Sequence, residues 1–222
     1  MNDTASKIAE PSSARLVLTL GFAGLFSGLI IVAAYEATLP RITSYKAQVL
    51  KESVFKVLPG VTKLQQLAYR DGHFEVAPST PEEGSLLYAG YDTTGRLVGY
   101  AIPAEGPGFQ DTIRLLYGYV PKDRKVTGME ILESRETPGL GDKIYKDAAF
   151  VANFHSLSID PEITVVKKGA KQAPNEIDAI TGATITSKAV ARIINHANLK
   201  WVPRFNSVTE SVQPGAEHAP AG

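Results

Sequence analysis

Residues 96–134, RLVGYAIPAEGPGFQDTIRLLYGYVPKDRKVTGMEILES, contain three β-rich runs separated by two turn-forming segments. Apolar, aromatic and β-branched residues fill the runs, whereas the EGPGFQD and PKDR segments between them are typical of turns. A fourth run at residues 85–92, SLLYAGYD, is joined to them by a DTTG turn. The pattern predicts an antiparallel meander and therefore a domain of the α+β class built on an antiparallel sheet.

Helical patterns flank this predicted sheet. Residues 41–60 contain apolar residues at helical spacing and end at a Pro-Gly pair, which predicts an amphipathic helix after Pro40. This helix would lie at the membrane surface, because it follows the predicted membrane span of residues 16–35. A second helix is predicted near residues 144–155, and a third in SKAVARIINHANLKW, residues 187–201, whose apolar side chains share one face. The small, polar residues 206–222 are expected to form a disordered tail, which leaves residues 36–205 as the folded domain.

Residues 16–35, LVLTLGFAGLFSGLIIVAAY, contain no charge and follow a flank of residues 1–15. Twenty residues is the length that a helix needs to cross about 30 Å of hydrocarbon, and no small-residue cleavage motif follows, so an uncleaved transmembrane helix is predicted. Gly24 and Gly28 would let another membrane helix approach closely. Lys and Arg are nearly balanced on the two sides, so charge does not set the orientation; the short first flank favours export of the domain.

Composition removes several classes of protein. Lys plus Arg equals Asp plus Glu at 23 each, which is unlike a nucleic-acid-binding protein. The chain has no Cys and four widely spaced His, so neither a cysteine nucleophile nor a metal site is expected. A dinucleotide-binding glycine motif and an acid-base pair are also missing, so no catalytic residue is predicted.

A second informative stretch is DAITGATITSKAV, residues 178–190. Thr181 and Thr184 flank Gly182-Ala183, where the lack of side-chain bulk would let a planar or anionic group approach the backbone. The start of the following helix would favour a phosphate, although the second glycine of a P-loop is missing. The commonest use of such hydroxyls is helix capping, which either Thr186 or Ser187 could perform.

This stretch matches the pattern D-x-x-[ST]-G-A-T at Asp178, Thr181, Gly182, Ala183 and Thr184. The segment ESRETPGLGDKI, residues 133–144, contains a second motif, E-T-P-G-L-G. Together they resemble the FMN-binding domain family, which includes the G subunits of Rnf (Rsx) electron transport complexes and the C subunits of sodium-translocating NADH:quinone reductases. The resemblance extends over about residues 16–200. The length of 222 residues and the segments GFQDTIRLLYGYVP and GMEILESRETPGLGDKI are more similar to the G subunits.

The resemblance implies that Thr184 is linked to FMN through a phosphodiester, which a flavin transferase installs from FAD. It implies a role for Lys188 as a counter-charge to the phosphate, although a solvated helix face also explains this residue, and for Asp178 as a turn or recognition residue for the transferase. Leu140 would cover an apolar face of the ring. The other residues that the resemblance places at the cofactor are Thr181, Gly182, Ala183, Glu136, Thr137, Pro138, Gly139 and Gly141.

The function implied is that of a non-catalytic, electron-carrying flavoprotein subunit in a complex that couples electron transfer to ion translocation. Its partners would be the other subunits of the complex and, during maturation, the flavin transferase. The protein would cross the bacterial inner membrane once, with its C-terminal domain on the outer side. Two alternatives stay open: the C subunit of a sodium-translocating quinone reductase, and a membrane-anchored sensory or scaffold domain without electron transfer.

Overall fold

The structure is a computed structural model that describes residues 12–77 and 86–209, with side chains described as far as residue 205. The chain divides into two compact units, Met1–Gln48 and Val49–Gly222. The described elements, in chain order, are α1 (Ser13–Val57), β1 (Lys63–Arg70), β2 (His73–Val76), β3 (Leu86–Tyr91), β4 (Leu97–Pro107), β5 (Thr112–Val120), β6 (Lys125–Glu133), α2 (Lys143–Lys146), α3 (Ala148–Ala152), β7 (Leu157–Ser158), β8 (Thr164–Val166), β9 (Glu176–Asp178) and α4 (Thr184–Thr209).

The predicted transmembrane segment lies within α1, which is long and apolar enough to cross a membrane. The helix is continuous through Pro40, so the prediction of a separate amphipathic helix that starts after this residue is wrong. Proline removes one helical hydrogen bond, but the effect is local, and the good helix formers Ala37, Leu39 and Arg41 lie close to it in the sequence. The pattern of residues 41–57 therefore continues the first helix.

Seven of the described strands form one sheet in the order β2-β1-β3-β4-β5-β6-β7. The four predicted strands are its antiparallel centre, β3 to β6, with Ala101 opposite Gly118 and Leu115 opposite Ile131. The prediction of an α+β domain with an antiparallel sheet and flanking helices is confirmed.

Two strands at one edge, β1 and β2, were not predicted. They form a hairpin whose turn residues Asp71 and Gly72 both have positive φ, 49° and 87°. Asp-Gly is the residue pair that favours this tight turn, because both positions must adopt left-handed backbone angles. The Asp-Gly pair in KLQQLAYRDGHFEV indicates this turn in the sequence. The two strands were nevertheless not recognised, because they contain many polar residues.

Helices cover both faces of the sheet. Along β5, Leu115 and Tyr117 point into the core that includes residues of α4, whereas Leu116 points to the opposite face, onto the last residues of α1. The buried hydroxyl of Tyr117 donates to Asn198 Oδ1 of α4 at 2.9 Å. A side chain at Gly118 would collide with the carbonyl of Val57, so this glycine lets the end of α1 lie directly on the sheet.

The C-terminal half differs from the predictions in its helix boundaries. In place of one helix near residues 144–155 there are two short ones, because the carboxylate of Asp147 accepts hydrogen bonds from the N–H groups of Ala149 and Phe150 and starts a new helix. The parallel pair β8 and β9 follows. Helix α4 begins at Thr184, three residues earlier than predicted, and ends at Thr209, inside the predicted tail; residues 210–222 of that tail lie outside the described residues.

Candidate functional site

Thr184 is the first residue of α4 and is exposed to solvent. The chain enters the helix through a turn in which Gly182 has a φ of +84° and the Ala183 N–H donates to the Ile180 carbonyl at 3.0 Å. The first N–H groups of a helix have no partner within it and mark its positive end. The Thr184 hydroxyl therefore lies where an attached anion would be stabilised.

The two hydroxyls after Thr184 are buried and already bonded. Ser187 Oγ accepts from the Ile180 N–H and donates to the Ala183 carbonyl, both at 3.0 Å. Thr186 Oγ1 donates to Glu136 Oε2 at 2.8 Å. The expectation that Thr186 or Ser187 caps the helix is wrong, because α4 begins before both of them and they lie within its first turn.

The E-T-P-G-L-G loop, residues 136–141, folds back on itself. The Thr137 carbonyl accepts from the N–H groups of Leu140 at 3.2 Å and of Gly141 at 2.9 Å. Gly139 has a φ of +78°, a conformation that side chains disfavour, which explains a glycine at this point of the turn. The turn leaves the Leu140 side chain 46% exposed.

The turn between β4 and β5 is bound by Arg135, which precedes the loop, and by the first two residues of the loop, Glu136 and Thr137. Glu136 Oε1 accepts from the backbone N–H groups of Phe109 and Gln110, both at 2.9 Å. Thr137 Oγ1 donates to Gln110 Oε1 at 3.0 Å, and Arg135 forms an ion pair with Asp111 at 3.7 Å. These contacts fix the position of the Phe109 backbone, while its ring stays 63% exposed.

The loop, the turn and the start of α4 surround one cleft of about 300 Å³, which we name the Thr184 cleft. This volume is at the lower end of the range of about 300–1,000 Å³ for small-molecule sites. Phe109, Leu140 and Ile185 place exposed apolar surface beside the Thr184 hydroxyl. The full lining is Phe109, Glu136, Thr137, Leu140, Gly141, Gly182, Ala183, Thr184, Ile185 and Thr186.

The structure thus brings together in the cleft most of the residues of the two motifs that were predicted to lie at the cofactor. Pro138 and Gly139 belong to the same loop but do not line the cleft. Thr181 lines a separate pocket with the basic residues Lys143, Lys146 and Lys168.

Asp178, the first residue of the D-x-x-[ST]-G-A-T motif, and Lys188, just after the motif, also lie outside the cleft. Asp178 is in β9, where its Oδ1 accepts from the Gly169 N–H at 2.9 Å. Lys188 lines a groove along α4 that also contains Arg192.

Three residues that line the cleft, Phe109, Ile185 and Thr186, were not among the predicted site residues, and Thr186 was interpreted as a helix cap. Phe109 could have been recognised as a site residue, because a large aromatic residue in the glycine-rich EGPGFQD turn has no strand or helix face to pack against. Ile185 could not have been recognised in this way, because its position in the sequence does not distinguish it from the core residues of the same helix.

A salt bridge borders the loop. Lys146 Nζ donates to Asp142 Oδ2 at 2.6 Å, and this bond holds the pKa of the Asp142 carboxyl below its usual value. The bond therefore favours the ionised form of the carboxyl group that follows the E-T-P-G-L-G loop. Across residues 12–77 and 86–209, no group of His, Asp and Glu is arranged to hold a metal ion.

Comparison with known proteins agrees with this geometry. The FMN-binding domain model matches residues 108–198, which include the turn, the loop and the start of α4. The G subunit of the Na⁺-translocating ferredoxin:NAD⁺ oxidoreductase complex of Acetobacterium woodii is 33% identical over 181 residues, which cover 75% of this chain and 85% of that protein. The G subunit of the proton-translocating complex of Clostridium ljungdahlii is 31% identical, with coverage of 77% and 82%.

Among solved structures, NqrC of Shewanella oneidensis superimposes with a TM-score of 0.53 at 19% identity, over 72% of this chain and 86% of that one. This likeness shows a shared fold. The similarity over most of the sequence is to the G subunits, and the chain therefore belongs to the FMN-binding domain family, among the G subunits of ion-translocating oxidoreductase complexes.

Proposed function

We propose that this chain is the electron-carrying subunit of a membrane-bound, ion-translocating oxidoreductase complex and that it holds FMN covalently on Thr184. The observation that supports this most directly is the Thr184 cleft, in which an exposed hydroxyl at a helix N-terminus is surrounded by exposed apolar side chains. FMN needs both kinds of surroundings, because its phosphate is anionic and its ring is planar and largely apolar.

The residues of the cleft suit the two parts of the cofactor. The first N–H groups of α4 and the positive end of its dipole would stabilise the phosphodiester. Gly182 has no side chain to obstruct the approach, and Phe109, Leu140 and Ile185 would cover ring surface. Bound FMN supplies one- and two-electron transfer, while the protein sets its potential through nearby charge and hydrogen bonds.

Attachment is a phosphoryl-group transfer from FAD. The Thr184 oxygen forms a bond to the phosphorus on the FMN side, the bond between the two phosphates breaks, AMP leaves, and the hydroxyl proton is released. No oxidant or reductant is consumed. We assign the activation of the Thr184 hydroxyl to the flavin transferase.

The proposed topology is a single span of the bacterial inner membrane, with the C-terminal domain on the outer side. Helix α1 supports the span by its length and composition. The side can be measured directly, because the chain has no Cys and a single introduced Cys can be labelled with an impermeant reagent. Labelling of Ala170→Cys in intact spheroplasts is expected; labelling only after lysis would reverse the topology.

The function is tested by exchanging Thr184 for Val in the native host and measuring the membrane potential that isolated vesicles build when the electron donor is added. The variant complex should assemble and lose this response, because Val keeps the β-branched shape and removes the acceptor oxygen. Thr164→Val, an exposed threonine of β8 outside the cleft, is the matched control and should keep most of the response. An unchanged response in Thr184→Val would contradict electron transfer through this site.

The sensory or scaffold alternative predicts a different result. In that case wild-type chain made with the transferase would contain no flavin, and the membrane potential would not depend on any residue of the cleft. The quinone-reductase alternative is less supported, because the two relatives reported above are G subunits, whereas the similarity to NqrC is one of fold.

A further inference from the structure

Glu136 is an acidic side chain only 5% exposed, and it bonds to two segments outside its own loop. Its Oε1 accepts from the N–H groups of Phe109 and Gln110 in the turn before β5, and its Oε2 accepts from the Thr186 hydroxyl in the first turn of α4. All three donors are uncharged groups. The carboxylate is therefore held by hydrogen bonds that do not neutralise its charge.

The surrounding backbone closes tightly on this carboxylate. A Cβ added to Gly108 would collide with Glu136 Oε1. A Cβ added to Gly141 would lie 2.7 Å from Glu136 Cβ and 2.8 Å from Oε2. Two glycines, one from the turn and one from the loop, thus leave space that this side chain occupies.

We propose that Glu136 is the positioning residue of the Thr184 cleft. It holds the turn that bears Phe109 and the helix turn that bears Thr184 in a fixed relation before the cofactor is attached, and its negative charge lowers the reduction potential of the attached flavin. Burying a carboxylate is costly, but charge-assisted hydrogen bonds are stronger than neutral ones and offset the cost. An anion that lines the cleft opposes the addition of an electron to a ring bound there. This inference rests on the proposed function only for its second part, the potential.

Two substitutions separate geometry from charge. In Glu136→Gln the amide oxygen can still accept from both backbone N–H groups, while the NH₂ group donates to the Thr186 hydroxyl, so the geometry is kept and the charge is lost. Glu136→Ala removes both the hydrogen bonds and the negative charge. Thr186→Val removes a single donor and serves if the Ala variant does not fold.

Glu176 provides the matched control. Its Oε2 also accepts from two consecutive backbone N–H groups, those of Gln172 at 2.7 Å and Ala173 at 3.0 Å, but in a turn that does not line the cleft. Glu176→Ala and Glu176→Gln therefore repeat the same chemical changes elsewhere in the fold.

The first measurement uses the full chain in detergent without flavin. Amide hydrogens of Phe109 and Gln110 should exchange about tenfold faster in Glu136→Ala than in wild type, should be nearly unchanged in Glu136→Gln, and should be unchanged in Glu176→Ala. Thr186→Val should give a smaller increase. Exchange in Glu136→Ala, or in Thr186→Val if the Ala variant is unfolded, within about twofold of wild type would overturn the positioning role whether or not the chain binds flavin.

The second measurement uses the full chain made with the transferase. Glu136→Gln should keep its flavin and have a higher midpoint potential than wild type, whereas Glu176→Gln should match wild type. Equal potentials in Glu136→Gln and wild type would overturn the effect of charge. Wild-type chain without covalent flavin would overturn the proposed function instead, and the exchange data would still test the positioning role.

Discussion

Thr184 differs from the neighbouring hydroxyls in its surroundings. Thr186 and Ser187 are buried and bonded, and Thr181 lines another pocket, so Thr184 is the exposed hydroxyl of this stretch in the cleft. The motif predicted this residue by resemblance, and the structure supplies a physical reason that supports it. The contact between Thr186 and Glu136 joins residues 50 positions apart, and nothing in the local sequence predicts it.

Gly141→Ala tests how tightly the loop encloses the Glu136 side chain. The added methyl group would overlap Glu136, so the free energy of unfolding should fall by about 1–3 kcal/mol. Glu136→Ala should relieve part of this penalty, because the two changes share one space. Urea unfolding of the four combinations measures the coupling. Strictly additive effects would show that the methyl group is accommodated elsewhere.

At the scale of elements, the sequence predicted the long central strands and missed the short ones. Strands β4 to β6 have 9 to 11 residues, enough for their pattern to be recognised, whereas the hairpin strands are polar and β7 to β9 have two or three residues. The start of α4 was placed too late because Thr and Ser favour caps over helix interiors. Here tertiary bonds to the Glu136 and Ile180 groups offset that preference.

Gly118→Ala tests the contact between the end of α1 and the sheet. The methyl group would meet the Val57 carbonyl, which also accepts a hydrogen bond from Thr127 Oγ1 at 2.6 Å. We expect the free energy of unfolding to fall by about 1–3 kcal/mol or more, since neither backbone can easily move. Chemical unfolding of the variant measures this. A midpoint equal to that of wild type would mean that the helix end is not held against the sheet.

A pH-dependent contribution to stability comes from the ion pair that joins the turn between β5 and β6 to the segment after β7. Arg124 donates to Asp160 at 2.8 Å and lowers the pKa of this carboxyl below its usual value of 3.8. Because the pKa is lower in the folded state than in the unfolded state, the ion pair stabilises the fold at pH values above the unfolded-state pKa. This stabilisation is lost as the pH falls through the folded-state pKa. Wild type should therefore exceed Asp160→Asn in stability at pH 7, and the difference should shrink below about pH 4. A difference that stayed constant from neutral to acidic pH would contradict the assignment.

At the scale of the whole molecule, the folded core lies within one part of the chain. Both hydrophobic clusters consist of residues from the second unit, Val49–Gly222. Deletion of residues 1–38 should therefore give a soluble protein with a cooperative thermal transition. Sedimentation after a high-salt wash and calorimetry measure the two properties. A fragment that stayed with membranes would contradict the single span. A fragment that unfolded without a transition would show that the first unit is needed for the fold.

Family and fold class were predictable because two short motifs and a long strand pattern are local in sequence. The cleft itself was not, since it requires that residues 109, 136 and 184 be brought together by the sheet and by α4. The flanking charges did not predict the side of the membrane, because they are balanced, so the expectation of export depended on the short first flank.

The proposal that Thr184 holds FMN through a phosphodiester is tested most sharply by the intact mass of the full chain purified under denaturing conditions after production with the flavin transferase. The wild-type chain should be heavier than its sequence by one FMN less one water, and Thr184→Val should have the mass of its sequence alone. Thr181→Val should have the added mass, since its hydroxyl lies outside the cleft. A Thr184→Val chain that still had the mass of one FMN added would contradict the proposal.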